Sequence, residues 1–153
     1  MTTYENGLFI FRRDFRVIDN IGLNLTNSIC KHIYPIFIFT PEQVTGANKF
    51  KSNNAVQFMI ESLQDLSSQI NKMGGHLMCF YGHNDTIVSY LIKALDINLV
   101  CFNADYSPYA IQRELKIIKI FCFKISFVYC LPMSCINSAS ILISLLVICL
   151  LAL

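Results

Sequence analysis

Four short stretches carry the polar side chains with chemical potential: Arg12, Arg13 and Asp14; Thr40, Pro41 and Glu42; Gly82, His83, Asn84 and Asp85; and Asn103, Ala104, Asp105 and Tyr106. Together the guanidinium, carboxylate, amide and phenol groups make up one polar set of strand-exit residues. The arrangements that break bonds are missing. The sequence has no HExxH, and no strand runs into a nucleophile elbow. It also lacks GxGxxG and GxxxxGK[ST], so a standard dinucleotide or triphosphate cradle is not expected. Cysteines 30, 79 and 101 lie in or beside apolar runs, while 122, 130, 135 and 149 form no CxxC pair, which indicates neither a zinc site nor a disulfide scaffold. No catalytic residue and no metal ligand is assigned.

Each polar stretch follows a run that reads as a strand: Leu8 to Phe11, Pro35 to Phe39, His76 to Tyr81 and Asn98 to Phe102. These runs are apolar on consecutive positions, the pattern of strands buried on both faces of a parallel sheet. Between them lie helical segments. The clearest is Ser52 to Met73, where Val56, Met59, Ile60, Leu63, Leu66, Ile70 and Met73 recur every three or four residues. Ser52 or Asn53 can cap its start, and Gly74-Gly75 can end it. Less regular helices fit Ile21 to Cys30, Thr86 to Leu95 and Pro108 to about Ile120. The alternation predicts a doubly wound, Rossmann-like α/β fold: a parallel sheet of four or five strands with helices on both faces. Such sheets bind ligands beyond the carboxyl ends of their strands, which is where the polar stretches gather. A loop meeting water has the same composition, and His32 and His83 read as solvated loop histidines.

The chain has 153 residues, enough for one domain. The formal net charge of +2 comes from Lys119 and Lys124, because residues 1–116 hold ten Lys or Arg and ten Asp or Glu. A neutral body excludes nucleic-acid binding through bulk charge. Mean hydropathy is high at +0.50, and the excess is local: 28 of the 37 residues from Ile117 onward are hydrophobic, against 55 of the first 116. The amino terminus offers only a four-residue apolar run, too short for a signal-peptide core, so the body is of a type made for a reducing compartment. On that basis the sequons at Asn24 and Asn84 are accidental.

The exit of the first strand, Leu8-Phe-Ile-Phe-Arg-Arg-Asp-Phe-Arg-Val-Ile-Asp-Asn-Ile-Gly-Leu23, resembles the opening of the DNA photolyase and cryptochrome family. Three further segments agree in order and spacing: Pro35-Ile-Phe-Ile-Phe-Thr-Pro-Glu42, Phe58-Met-Ile-Glu-Ser-Leu-Gln-Asp-Leu66 and Phe102-Asn-Ala-Asp-Tyr-Ser-Pro-Tyr-Ala-Ile-Gln-Arg-Glu114. The resemblance covers about residues 7–116 and implies the amino-terminal α/β domain, which in complete members carries an accessory light-harvesting chromophore. It implies an antenna pocket at Asn103, Asp105 and Tyr106, with Arg12 and Thr40 as further cofactor contacts. The Arg12 to Asn20 loop could instead serve structural salt bridges or touch phosphate, and Pro108 could simply open the last helix with Ser107 as its cap. Folate-carrying relatives place Asn-Glu where this chain has Tyr109 and Ala110, so the resemblance leaves a deazaflavin, a flavin or an empty pocket ahead of a folate.

In the family, repair depends on FAD held by a larger helical domain, and a chain of this length cannot house both domains. The sequence also has no Trp for a flavin-reducing relay. FAD is therefore not expected here, and DNA repair is expected only with a separately encoded FAD-binding helical partner, through which any DNA contact would pass. An alternative is a membrane-tethered interaction protein on a degenerate body. The expected division is 1–116 for the α/β domain, extending to about 129 if Lys124 to Tyr129 supplies a fifth strand, and 117–153 for an apolar tail. That tail is either a membrane anchor through 136–153 or a frame-disrupted segment not selected to fold.

Overall fold

The structure, a computed structural model, describes residues 4–46, 51–105, 112, 116, 117 and 127–132, the last six through their backbone alone. The elements run β1 (Tyr4–Phe11), α1 (Ile21–Ile29), β2 (Cys30–Phe39), α2 (Pro41–Val44), α3 (Asn53–Lys72), β3 (Met78–Tyr81), α4 (Asn84–Ala94), β4 (Leu99–Ala104) and β5 (Phe127–Pro132). The five strands form one parallel sheet in the order β3-β2-β1-β4-β5. The chain winds outward from β1 through β2 to β3, then returns to the opposite side of β1 as β4. The direction of winding therefore reverses between β1 and β4, which makes their carboxyl ends the topological switch point.

Consecutive apolar residues in β1 divide between the two faces. Leu8 and Ile10 join Ile36, Ile38, Val100 and Phe102 under α4, which contributes Val88, Leu91 and Ile92. Phe9 and Phe11 join Phe37 and Cys101 under α3, which contributes Leu63, Leu66 and Ile70. Burial on both sides is why these strands read as unbroken hydrophobic runs, as expected for a doubly wound sheet. Gly7 lets α1 and the start of β2 close onto β1, since a Cβ there would lie 2.6 Å from Cys30 Sγ and 3.1 Å from Thr26 Cγ2.

Helix α3 starts as its sequence predicts, with Ser52 Oγ accepting from the Ala55 N–H at 3.5 Å. It ends at Gly74, whose φ of +82° favours glycine. Ile60 and Met73, expected on its inner stripe, are exposed instead. The buried stripe is confined to Leu63, Leu66 and Ile70, where the helix crosses the sheet.

β1 and β2 begin earlier than the apolar runs suggest, whereas β3 begins at Met78 rather than His76 and β4 at Leu99 rather than Asn98. Tyr4 to Gly7 of β1 pair with Cys30 to Ile33 of β2 through the strand ladder and the Lys31–Glu5 ion pair at 2.7 Å, with only Gly7 and Cys30 among them buried. Pro35 is tolerated within β2 because pairing with β3 begins only at Ile36, so that the strand is still an edge at Pro35. β5 lies at Phe127–Pro132, displaced toward the carboxyl terminus from the expected Lys124 to Tyr129. Of the helix expected from Pro108, Gln112, Lys116 and Ile117 are described and helical. Among the described residues no helix is long and apolar enough to cross a membrane; the 136–153 segment lies outside them.

Burial sets the chemistry of the cysteines. Cys30 and Cys101 are buried and Cys79 is exposed, and desolvation pushes the Cys101 thiol from 9.0 up to about 12. Brief alkylation followed by peptide mapping should therefore label Cys79 and spare Cys30 and Cys101 until the protein unfolds. Between pH 9 and 12 the unfolded chain loses a Cys101 proton that the folded chain keeps, so stability should fall as pH rises through that window. The loss is at most about 4 kcal/mol. Cys101→Ala should flatten this alkaline limb in denaturant titrations; an unchanged slope would assign the limb to other groups.

Candidate functional site

A cavity of about 510 Å³ opens at the switch point, lined by Arg12 to Arg16 after β1, Phe58, Ser62 and Asp65 of α3, and Asn103 and Asp105 at the end of β4. Its size falls within the range of small-molecule sites. The aromatic wall consists of Phe15, packed edge-on against Phe37 with ring centroids 5.4 Å apart, and Phe58, which is 70% exposed. Phe58 stands off the buried stripe of α3, so its ring is available to a ligand without loss of core packing.

The floor is a closed hydrogen-bond network. Asp14 Oδ1 accepts from the Arg12 backbone N–H at 3.1 Å. Asp14 Oδ2 accepts from Asn20 Nδ2 at 3.1 Å and from Asn103 Nδ2 in a short contact. Asn103 Nδ2 also donates to Asn20 Oδ1 at 2.9 Å, and Asn103 Oδ1 accepts from the Gly22 N–H at 3.2 Å. Asn20, 1% exposed, caps α1 by accepting from the Leu23 N–H at 3.1 Å and donates to the Arg16 carbonyl at 3.0 Å. The exits of β1 and β4 and the start of α1 are thereby fixed to one another before any ligand arrives, a form of preorganisation.

Charge surrounds this floor. The Arg12 guanidinium is buried with its carbon 3.8 Å from the centroid of the Phe102 ring, a cation–π contact shielded from water. Arg13 reaches across the switch point to Asp105 at 3.3 Å. Exposed and salt-screened on the arginine side, that pair contributes little energy.

Of the residues expected to contact a cofactor, Arg12, Asn103 and Asp105 share this cavity. Thr40 does not. It is buried beyond the end of β2, lining a separate cavity of about 80 Å³ with Glu42, His83, Asn84, Asp85, Gln112 and Lys116. The strand order explains the separation: the exits of β2 and β3 adjoin each other on one side of β1, and the switch point lies on the other. The Thr40 N–H is instead held by Gln43 Oε1 at 3.1 Å, which starts the one-turn α2. Tyr106 lies outside the described residues, as do Ser107, Pro108, Tyr109 and Ala110.

His83 is exposed at the N-cap of α4, 3.7 Å from Glu42; His32, expected in a loop, lies instead within β2, where it is exposed and 3.9 Å from Glu5 because pairing with β1 extends the strand over it. Among the described residues no cluster of His, Cys, Asp or Glu could hold a metal ion. Sequence reasoning did not assign Phe58, Ser62 and Asp65 to the site. The available signal was an aromatic residue set beside, rather than within, the apolar stripe of an amphipathic helix.

Comparison with known proteins agrees with this architecture. The archaeal photolyase from Sulfolobus tokodaii, solved with two FAD molecules, superposes with a TM-score of 0.78 at 36% identity, covering 83% of this chain and 29% of that one. Cryptochrome-1 of Aedes aegypti is 32% identical over 129 residues, 76% of this chain and 23% of its own length. The (6-4) DNA photolyase of Arabidopsis thaliana is 27% identical over 124 residues, 76% of this chain and 22% of its own. The chain thus spans between a fifth and a third of the length of these relatives. The family model for DNA photolyase matches residues 8–130, a span that contains β2 to β4, the end of β1, most of β5 and every lining residue of the switch-point cavity. By that match, and by the sheet that carries it, the chain belongs to the DNA photolyase family.

Proposed function

We propose that these residues form the chromophore-holding α/β unit of a light-driven photolyase-family protein, and that the switch-point cavity takes a flavin-type or deazaflavin-type antenna pigment. The carrying observation is the cavity itself: Phe15 and Phe58 line it with aromatic rings, and Arg13, Arg16, Ser62 and Asp65 line it with polar groups around the fixed Asp14–Asn103 floor. A planar heteroaromatic ligand needs that combination. When bound, such a pigment would supply absorption in the near-ultraviolet and blue and pass the excitation on.

The chain's own residues orient and enclose the ring. Asp14 and Asn20 hold Asn103 in one rotamer, Arg12 keeps a cation over Phe102 beneath the site, and Phe58 closes the outer wall. The second FAD reported for the Sulfolobus tokodaii photolyase, implicated there as a novel light-harvesting cofactor, supports a flavin over a folate. Electron transfer to a DNA lesion would require a flavin-binding helical unit beyond these residues, supplied in the proposed arrangement by a partner, through which DNA would also be held. The matched stretch makes up only 22–23% of two of these relatives, which leaves room in them for such a unit.

Purified full-length chain, incubated with riboflavin or a deazaflavin and freed of excess ligand, should retain one equivalent with a near-ultraviolet and blue spectrum. Phe58→Ala should weaken retention about tenfold, since loss of one stacking face costs roughly 0.5–1.5 kcal/mol beyond its area. Failure of both pigments to bind, or equal retention by the variant, would contradict the assignment.

A further inference from the structure

In doubly wound folds the helix after the first strand presents free N–H groups, and the ligand's pyrophosphate sits against them. Here α1 follows β1 at the switch point, beside the cavity, yet its amino terminus is occupied from within. The Gly22 N–H donates to Asn103 Oδ1 at 3.2 Å, the Leu23 N–H to Asn20 Oδ1 at 3.1 Å and the Asn24 N–H to the Asn20 carbonyl at 2.9 Å. Gly22 makes this possible, because a Cβ there would collide with Asn103 Oδ1 and lie 3.0 Å from the Phe9 ring. The glycine that could admit a phosphate instead admits an amide. That amide cannot swing away without leaving Asp14 and Asn20, which hold its nitrogen.

We propose that Asn103 is a specificity-determining residue that plugs the anion position of α1, so that a ligand enters ring-first and any phosphate it carries stays at the mouth beside Arg13 and Arg16. Both arginines are exposed and line the same cavity. The proposal rests on the chromophore assignment above for its ligand, but the plug can be tested without one. A ring bearing a phosphate should then bind only slightly better than the same ring without it, by a margin that salt removes.

The test uses the full-length chain and two probes. Inorganic phosphate, followed through the amide resonances of Gly22 and Leu23, should produce no saturable shift in the wild type and a saturable one in Asn103→Ala. In the same variant the preference for FMN over riboflavin should rise about 3- to 10-fold, the range expected for an anion at an opened helix terminus. A saturable Gly22 shift in the wild type, or none in the folded variant, overturns the proposal. If circular dichroism shows Asn103→Ala unfolded, Asn103→Ser, which shortens the plug but keeps a hydroxyl, takes its place under the same criteria. Arg16→Gln supplies an independent arm: it should weaken FMN binding more than riboflavin binding, and equal loss for both ligands counts against the tail position. Absence of flavin binding by the wild type would overturn the chromophore assignment alone, because the phosphate arm still decides the role of Asn103.

Discussion

Asp14→Ala is expected to lower stability by about 3–5 kcal/mol and to abolish pigment retention. One carboxylate accepts three hydrogen bonds here: from the Arg12 backbone, from Asn20 and from Asn103. Hydrogen bonds to an ionised acceptor contribute roughly 1.5–3 kcal/mol each, and donors left unpaired in a partly buried site cost about 1–3 kcal/mol. The effects are not additive, since Asn20 and Asn103 also bind each other. Asp14→Asn should be little better, because an amide offers one acceptor where the network requires two and directs an NH2 group at donors. Chemical denaturation of both variants, read beside ligand retention, checks this. An Asp14→Ala protein within about 1 kcal/mol of wild type would show that the network is incidental.

Phe9→Ala should cost about 3–5 kcal/mol, the usual range for deleting a fully buried ring. Phe9 is wholly inaccessible, packs edge-on against Phe11 with centroids 4.9 Å apart, and lies beneath Gly22. The cavity left by the ring would lie under the start of α1, so the loss should extend to the site. Phe9→Leu, which refills most of the volume, should recover much of the stability. Urea midpoints for the two variants decide it: equal midpoints would show that ring volume at Phe9 is not what supports α1. For a domain stabilised by only about 5–15 kcal/mol, either alanine variant approaches the limit of folding.

These effects also show which parts of the molecule the sequence made legible. Leu8 to Phe11 and Leu99 to Phe102 were recognisable as strands because burial on both faces forces apolar residues at consecutive positions. The beginnings of β1 and β2 were not, since Glu5, Lys31 and His32 are held there by ladder pairing and an exposed ion pair that leave no periodic trace. Helix α2 was missed for a similar reason: a single turn fixed by Gln43 has no room for a pattern. Strand exits are recognisable in the sequence as a polar rim, but the sequence does not state strand order. Without that order Thr40 could not be separated from Arg12, Asn103 and Asp105, nor could Phe58, far along the chain, be brought to face Phe15. Asn20 caps α1 within its own segment; its second role, as partner to Asn103, exists only once β4 lies beside β1.

The most direct measurement is a backbone amide shift map of the full-length chain during titration with riboflavin or a deazaflavin. The account predicts saturable changes confined to Arg12–Arg16, Phe58, Ser62, Asn103 and Asp105, with Thr40, His83 and Asn84 at the smaller cavity unmoved. Changes centred on Thr40 and His83, or spread without saturation over the surface, would contradict it.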